Sequence, residues 1–284
     1  MTSVGFVGLG NMGAALAGNL VASGHDLWTH DLAGPERSPD GAMFVSDLSA
    51  LSAQVDVMVL SLPDGDASRS VVETIARAPR RTVGHIVDTS TVGLEAARSI
   101  AQFAAGAGFA YVDAPVSGGV AGAQARSLTV MYAGSPAACE AVMPVLEGLS
   151  DRRYRVGGEA GMGQALKLAN NFLSATALAA TSEAVAFGTS VGIDMATMLE
   201  VLNASSGRSA ASEDKFVNHV LPGTFASGFA NTLMAKDVQL YLDAIESARG
   251  PAVLGSATAG VWRRFAERHP AVDFTEIYTF TTEG

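Results

Sequence analysis

Residues 4–13 read VGFVGLGNMG, an apolar run that ends in three glycines at Gly8, Gly10 and Gly13. The apolar run is typical of a buried strand, and the AALAGNLVASG that follows is typical of a helix. Glycines spaced GxGxxG between a strand and a helix permit a tight turn, close approach of a pyrophosphate to the backbone, and close helix–strand packing. The stretch therefore predicts a dinucleotide-binding loop. Its predicted residues are Gly8, Gly10, Asn11, Met12 and Gly13.

An acidic residue, Asp31, ends the second strand-like run, HDLWTHD. In dinucleotide-binding folds an acid at this position accepts hydrogen bonds from the adenosine ribose, and its charge repels the 2′-phosphate of NADP. No arginine follows directly, and the nearest is Arg37. The sequence therefore favours NAD as the cofactor over NADP.

The composition narrows the class of protein. The 284 residues are 48% hydrophobic and 16% charged, which is typical of a globular chain with a large core. A formal net charge of −10 argues against a nucleic-acid partner. The single cysteine, Cys139, excludes an internal disulfide and suits a reducing compartment. With no signal-peptide or membrane-span pattern, we expect a cytoplasmic protein that has no membrane partner, and no metal site is predicted.

Strand-like and helix-like segments alternate over about the first 160 residues, which predicts a mostly parallel sheet covered by helices on both faces. The strand-like segments are VGFVGLG, HDLWTHD, VDVMVLSLP, GHIVDTS, FAYVDAPV and SLTVMYAG. After Gly161 only helical patterns follow, over residues 164–191, 194–203, 229–247 and 251–268. We therefore expect an α/β domain over residues 1–161 and an all-α domain over residues 162–284.

Two stretches beyond the glycine loop carry groups suited to chemistry. Ser117, Gly118 and Gly119 follow a strand-like run, where a hydroxyl and two unobstructed amides could bind a carboxylate. Lys167 and Asn171 are four residues apart in a predicted helix and therefore lie on one face. Because burial disfavours the charged amine, a lysine facing a polar cleft can exchange a proton with a substrate hydroxyl. A plain loop and a lysine at the helix edge are the alternatives.

Four motifs together resemble the β-hydroxyacid dehydrogenase family, typified by 3-hydroxyisobutyrate dehydrogenase. They are GFVGLGNMG near the start, DAPVSGGVAGA in the middle, GQALKLANN at the predicted domain boundary and LMAKD late in the chain. The resemblance spans nearly the whole chain. It implies an NAD-binding Rossmann domain joined by a long interdomain helix to an all-α domain for substrate and oligomerisation, in a homodimer or homotetramer. It also implies hydride transfer between NAD and a small β-hydroxyacid or the matching semialdehyde.

The resemblance assigns the substrate-side roles to five residues. Lys167 would be the general acid/base, and Asn171 would orient the substrate beside it. Ser117, Gly118 and Gly119 would bind the substrate carboxylate. The expected partner is therefore a small carboxylate substrate.

The resemblance also assigns residues to the cofactor side. Lys236 would reach the nicotinamide end of the cofactor and the substrate, and Asp237 would position it. Taken alone, these two residues in TLMAKDVQL fit an exposed ion pair. Leu62 and Pro63 match a turn that contacts the cofactor, and Thr91 matches a residue near the nicotinamide ribose.

Two positions after ASSGR depart from the family pattern. Ala210 stands where an aromatic residue is common, and Lys215 stands where a tyrosine is common. Loss of a ring opens volume and a cation favours negative charge, so we expect a substrate larger or more anionic than 3-hydroxyisobutyrate. A loop that merely packs differently is the alternative.

Other functions share parts of this pattern. A semialdehyde reductase would use the same residues in the reverse direction. An imine reductase of the same superfamily usually replaces the lysine, and a phosphogluconate-type decarboxylating dehydrogenase is a longer chain. A non-catalytic NAD-binding sensor would be expected to lack the lysine, the asparagine or the carboxylate site, all of which are present.

Overall fold

The computed structural model describes residues 2–283, which divide into two compact units between Lys167 and Leu168. This division lies inside one continuous helix, Met162–Ser190. The boundary predicted after residue 161 falls just before that helix and remains a prediction.

The first unit is built on a nine-stranded sheet in which most neighbouring strands are parallel. The strand order is β3-β2-β1-β4-β5-β6-β8-β7, with β9 paired to β8. The strands are β1 (Ser3–Val7), β2 (Asp26–His30), β3 (Met43–Phe44), β4 (Val57–Leu60), β5 (His85–Asp88), β6 (Ala110–Asp113), β7 (Val116–Ser117), β8 (Thr129–Ala133) and β9 (Arg152–Gly157). The run 3-2-1-4-5-6 is the order of a dinucleotide-binding sheet, with ligands expected at the carboxyl ends of the strands.

Helices cover both faces of this sheet, as the alternation of buried residues in β4 illustrates. Val57 and Val59 belong to one apolar core, while Met58 and Leu60 belong to the other. The helices of the first unit are α1 (Asn11–Ala22), α2 (Leu48–Ser52), α3 (Gly65–Arg77), α4 (Leu94–Gly106), α5 (Gly119–Gln124), α6 (Pro136–Ala141) and α7 (Met143–Leu149). The predicted sheet covered on both faces is therefore present.

The sheet differs from the sequence prediction at both of its ends. β8 pairs antiparallel with β6 and β7, and neither β3 nor β9 was predicted as a strand. β3 has only two residues, and β9 reads RRYRVG with Arg152, Tyr154 and Arg155 exposed. Charged residues are common on edge strands because they discourage pairing with other chains, and they also mask the apolar alternation of a strand.

The second unit is all-helical around a core rich in aromatic residues. The continuous helix noted above is α8 (Met162–Ser190) and runs into this unit. The other helices are α9 (Met195–Asn203), a π-helical segment (Ala211–Val220), α10 (Asn231–Ser247), α11 (Val253–Arg268), a 3₁₀ turn (Phe274–Glu276) and α12 (Ile277–Thr282). Phe216, Trp262 and Phe265 are fully buried, and the Trp262 indole donates to the Ala175 carbonyl at 3.2 Å.

All four helical patterns found after Gly161 begin within two residues of a helix, and the last three also end at the same residue as α9, α10 and α11. The π-helical segment was not predicted, because its i→i+5 repeat does not match the 3.6-residue periodicity of an α-helix. Within residues 2–283 no helix combines the length and apolarity that crossing a membrane requires.

Candidate active site

The glycine loop follows β1 and leaves room for a ligand. Gly8 has φ = +96°, and a Cβ there would strike the Ser61 carbonyl oxygen. A Cβ on Gly13 would strike the Gly8 carbonyl oxygen, so the helix can pack this closely only with glycine. Around Gly10 a Cβ would meet nothing within 4 Å. The backbone at Gly10 is therefore open to a pyrophosphate, and the loop fits a dinucleotide.

Helix α1 begins at this loop with backbone N–H groups that no cap side chain bonds. Gly10 is its N-cap and has no side chain, so the first-turn N–H groups remain for an anion. Asn11 is exposed, whereas Met12 packs partly against the core. The Arg37 guanidinium donates to Asn11 Oδ1 at 3.2 Å. The arginine that the sequence places six residues after Asp31 is thus brought to this helix terminus.

Asp31 lies at the end of β2 beside the glycine loop. Its carboxylate accepts the Leu9 backbone N–H on one oxygen and the Ala33 N–H, at 2.7 Å, on the other. These two contacts fix the carboxylate at the edge of the loop. Its charge therefore lies next to the predicted dinucleotide site, where it can bind ribose hydroxyls.

The loops after β4 and β5 are tied together at the carboxyl ends of the strands. Ser90 Oγ accepts the Leu62 N–H at 2.8 Å, which links the turn that contains Leu62 and Pro63 to the loop that contains Thr91. Because β1, β4 and β5 are adjacent and parallel, these loops and the glycine loop share one edge of the sheet. The structure thus brings the predicted cofactor residues of the first unit to that edge.

The Ser117–Gly119 turn connects β7 to α5. Ser117 pairs with Thr129 at the end of β7, and Gly118 and Gly119 have φ = +133° and +68°. Both glycines are exposed. Consecutive positive φ angles are easily adopted only by glycine, and they leave the backbone amides of the turn without covering side chains.

Lys167 lies in the first part of α8, and only 8% of its surface is exposed. The first turn of that helix is held by Asp113, at the end of β6. Asp113 Oδ1 accepts the Gly161 N–H and Oδ2 accepts the Gln164 N–H, each at 2.9 Å. Burial raises the pKa of Asp113 to about 6, although these two N–H groups favour the charged form.

The Gln164 side chain holds the same turn to the loop after β5. Its Oε1 accepts the N–H groups of Val92 at 3.0 Å and Gly93 at 3.2 Å, and its Nε2 donates to the Ser90 carbonyl at 2.9 Å. Neither Asp113 nor Gln164 was identified from the sequence as a site residue. The available signal was a polar residue inside the otherwise apolar start of a predicted helix.

A second buried acid, Asp88 at the end of β5, bonds to the loop that follows that strand. Asp88 is fully buried and accepts the Ser90 N–H at 3.0 Å and the Tyr111 hydroxyl at 3.0 Å. Burial raises the pKa of Asp88 above its ordinary value, and burial beside Asp88 and Asp113 raises that of Tyr111.

In the second unit Asn171 and Asp237 meet in the interior. Asn171 Nδ2 donates to Asp237 Oδ2 at 2.6 Å, and the two residues are 5% and 3% exposed. The Lys236 ammonium lies 3.4 Å from Asp237 Oδ1. The rings of Phe172 and Tyr241 stack at 4.3 Å and pack α8 against α10 beside this cluster. The structure thus brings Asn171, Lys236 and Asp237 together.

Lys215 lies in the π-helical segment (Ala211–Val220). Its ammonium is 2.6 Å from the Asp214 carboxylate. Burial raises the pKa of Asp214, but hydrogen bonds from Lys215 and Asn218 outweigh burial, so that the pKa is lowered overall. The charge of Lys215 is therefore largely balanced by its neighbour. Ala210 precedes the segment.

Two family models match the chain in succession. Residues 3–158 match the NAD binding domain of 6-phosphogluconate dehydrogenase. Residues 161–281 match the model described as NAD-binding of NADP-dependent 3-hydroxyisobutyrate dehydrogenase.

Similar proteins carry related names. The 2-(hydroxymethyl)glutarate dehydrogenase of Eubacterium barkeri is 37% identical over 85% of this chain and 81% of its own length. The structure of Mycobacterium tuberculosis 3-hydroxyisobutyrate dehydrogenase with L-serine superposes with a TM-score of 0.91, at 31% identity over 99% of both chains. An imine reductase from Pseudomonas sp. has a TM-score of 0.65 at 18% identity over 98% of both chains, a likeness of fold alone.

The matches and the topology agree with the family expected from the motifs. The predicted fold class, an α/β Rossmann domain followed by an all-α domain, is confirmed. The glycine loop, the open space at Gly10 and the placement of Asp31 fit an NAD-type cofactor, as does the family. The chain belongs to the β-hydroxyacid dehydrogenase family and is an NAD-linked hydroxyacid dehydrogenase of the 3-hydroxyisobutyrate dehydrogenase type.

Proposed function

We propose that this protein oxidises the primary alcohol of a 2-substituted 3-hydroxypropanoate, or reduces the matching semialdehyde, with NAD and with Lys167 as the general acid/base. The names of its relatives share one chemical unit, HOCH2–CH(R)–COO⁻. The substituent R is methyl in 3-hydroxyisobutyrate and carboxyethyl in 2-(hydroxymethyl)glutarate. In the L-serine of the solved relative, R is an ammonium group.

The observation that carries this proposal is a buried lysine in the same compact unit as the glycine loop. Lys167 is 8% exposed, and the helix turn that bears it is bonded through Gln164 to the loop after β5. A buried amine beside a cofactor loop suits proton exchange with a substrate hydroxyl.

The residues divide the work as follows. Ser117, Gly118 and Gly119 bind the carboxylate and so fix the orientation of the alcohol carbon. Lys167 Nζ takes the proton as the hydroxyl O–H bond breaks, and the C–H electron pair leaves C3 as a hydride. Bound NAD supplies the hydride acceptor. In reduction Lys167 returns the proton to the forming alkoxide, while Asn171, Lys236 and Asp237 orient the reacting end of the substrate.

Two residues bear on the size and charge of R. Ala210 stands where the family commonly has an aromatic ring, and the absence of that ring supports a larger R. The relative named 2-(hydroxymethyl)glutarate dehydrogenase, after a dicarboxylate, also supports a larger R. The pairing of Lys215 with Asp214 at 2.6 Å weighs against a free cation for a second carboxylate. We therefore propose that R is larger than methyl. The substrate series below, in which R is neutral, anionic or cationic, tests its charge.

We also propose that the protein acts in the cytoplasm as a homodimer or homotetramer. Leu173, Ala180 and Phe187 are exposed and recur every seven residues on α8. Apolar residues at this spacing are typical of a helix that packs against another helix. A second copy of this chain would cover them.

The experiment is a substrate screen that follows NADH absorbance. The substrates are 3-hydroxyisobutyrate, 2-(hydroxymethyl)glutarate, L-serine and 3-hydroxypropanoate, each with NAD and NADP, and cyclic imines with NADH and NADPH. We expect turnover of at least one 2-substituted acid with NAD, and a fall of about 100-fold or more in Lys167→Ala without loss of NADH binding. Turnover of imines alone, no turnover at all, or an unimpaired Lys167→Ala enzyme would each contradict the proposal.

A further inference from the structure

The first turn of α8 is anchored from two directions by buried polar groups. From β6, Asp113 accepts the N–H groups of Gly161 and Gln164 on its two oxygens. Helix N-terminal N–H groups have no partner within the helix, and a carboxylate that accepts two of them fixes the start of the helix firmly. Asp113 and Gln164 are both fully buried.

From the other direction, Gln164 uses both ends of its carboxamide on one loop. It accepts two backbone N–H groups, from Val92 and Gly93, and donates to the Ser90 carbonyl. Gly93 is the N-cap of α4, so these bonds hold the backbone directly before that helix. We name residues 90–93 the β5 loop; it contains Thr91, which the family resemblance places near the nicotinamide ribose.

The close approach of the turn to the sheet depends on Gly163. A Cβ at this position would lie 2.5 Å from the Met131 carbonyl oxygen and 2.8 Å from Asp113 Oδ2. Any larger residue would push the turn away from the sheet. The sequence GMGQ thus lets the backbone approach Asp113 at the same place where Gln164 reaches the β5 loop.

We propose that Asp113 and Gln164 are positioning residues that hold Lys167 at a fixed distance from the β5 loop. The inference rests on the proposed function for the role of Lys167. Lys167 is one helical turn after Gln164 and Gly163, so a shift of the first turn moves its backbone equally. A displacement of the acid/base group by about 1 Å can slow turnover about 100-fold, which gives this anchor a kinetic consequence.

Two variants test the contacts of Gln164 and of Asp113 separately, and a third is a control. Gln164→Met keeps the length of the side chain and removes its three hydrogen bonds. Asp113→Asn keeps one acceptor but turns an N–H₂ group towards the other backbone N–H. Ile75→Val in α3, a fully buried core residue outside the site, is the matched control for general loss of stability.

The proposal has a kinetic and an activity-independent readout. We expect kcat to fall about tenfold or more in Gln164→Met and Asp113→Asn, with the substrate KM and the NADH Kd within about twofold of the unmodified protein. We also expect faster amide hydrogen exchange in peptides covering residues 160–167 and, for Gln164→Met, residues 90–93. Ile75→Val should change neither kcat nor these peptides, whatever its Tm.

The pH dependence of kcat in Gln164→Glu distinguishes a positioning role from a purely structural one. Its carboxylate can accept from Val92 and Gly93 but repels the Ser90 carbonyl; once protonated it can donate to that carbonyl, as the amide does. The nearest titratable group is Asp113, which accepts the Gln164 N–H. Asp88 bonds to Ser90 and to the Tyr111 hydroxyl, and Lys167 is three residues later in α8. Glu95 and Arg98 on α4 are exposed. The kcat of Gln164→Glu relative to the unmodified protein should therefore rise as pH falls from 8 to 6.

The outcomes distinguish the two proposals. If the unmodified protein turns over no hydroxyacid, or Lys167→Ala is unimpaired, the proposed function fails, and hydrogen exchange alone then decides whether the anchor exists. If the enzyme depends on Lys167 but the Gln164 and Asp113 variants keep kcat, the positioning role is refuted. It is also refuted if Ile75→Val loses as much kcat as these variants do for the same fall in Tm. Unchanged exchange over residues 160–167 would also refute it.

Discussion

The amide of Asn171 donates to the carboxylate of Asp237 at 2.6 Å, and both residues are almost completely buried. The bond joins α8 to α10, from positions 66 residues apart in the chain. A buried carboxylate that accepts such a short bond depends on its donor, because burial would otherwise penalise its charge. Taken alone, the motif fitted an exposed ion pair of Lys236 and Asp237. The bond from Asn171 instead holds Asp237 in the interior.

Asn171→Asp is therefore expected to destabilise the protein by about 2 kcal/mol or more, because it places two carboxyl groups where one amide met one carboxylate. The free energy of unfolding, measured by urea denaturation followed by circular dichroism, checks this value. The like-charge pair should make the loss larger at pH 8 than at pH 5, where one of the two carboxyls can bind a proton.

The exchanged pair tests the same contact from both sides. Asn171→Asp combined with Asp237→Asn restores one amide and one carboxylate, so most of the lost stability should return in the double variant. Activity should not return, since the proposed role of Asn171 requires its amide on α8. Stability losses that simply add would show that the two side chains do not interact.

The sequence predicted those parts of the site that are local along the chain. The glycine loop, Asp31 and the strand ends after β4 and β5 depend on short motifs beside strands, and parallel pairing gathers them at one edge. Ser117, Lys167 and Asn171 were identified in the same way, from residue type and spacing. Their contacts with a ligand remain predictions.

The anchor of α8 could not be predicted because its partners are distant in sequence. Gln164 reaches Val92 over 72 residues, and Asp113 reaches Gly161 over 48. Nothing in GQALK specifies which backbone groups a glutamine will bond. Arg37 is a similar case: its distance along the chain argued for NAD, yet folding places its guanidinium on Asn11 at the start of α1.

The choice of cofactor should depend on Asp31. We expect Asp31→Ser to lower the preference for NAD over NADP, as a ratio of kcat/KM values, by about tenfold or more, because it removes the charge that repels a 2′-phosphate. Arg37→Ala is the matched variant: losing this nearby cation should reduce the use of NADP and leave the preference for NAD intact. A preference for NADP in the unmodified protein would contradict the assignment of Asp31.

The pH dependence of stability should carry a contribution from Asp113. Its pKa is about 6 in the folded chain and near 3.8 as an ordinary carboxyl, so the folded state binds the proton more tightly. This carboxyl therefore stabilises the fold below about pH 4, and that contribution, about 3 kcal/mol, is lost as pH rises through 6. The charge of Asp88 also raises the pKa of Asp113. The charge of Asp113 in turn raises the pKa values of Tyr111 and Cys139.

Asp113→Asn removes this titration. Measured by urea unfolding between pH 4 and 7, the variant should gain stability relative to the unmodified protein as pH rises, although it loses one hydrogen bond at every pH. A constant difference between the two proteins over this range would show that Asp113 titrates at its ordinary pKa.

The exposed stripe on α8 predicts the assembly state. Phe187 is 71% exposed and Leu173 is 65% exposed, and the two lie fourteen residues apart on the same helix face. Phe187→Glu would place a charge inside the proposed helix–helix interface, where its burial is unfavourable. Light scattering coupled to size exclusion should show at least a dimer for the unmodified protein and a smaller species for the variant. Ser70→Glu, which adds the same charge on the exposed side of α3, should leave the mass unchanged. A monomer before mutation, or an equal fall in mass with both variants, would overturn this interface.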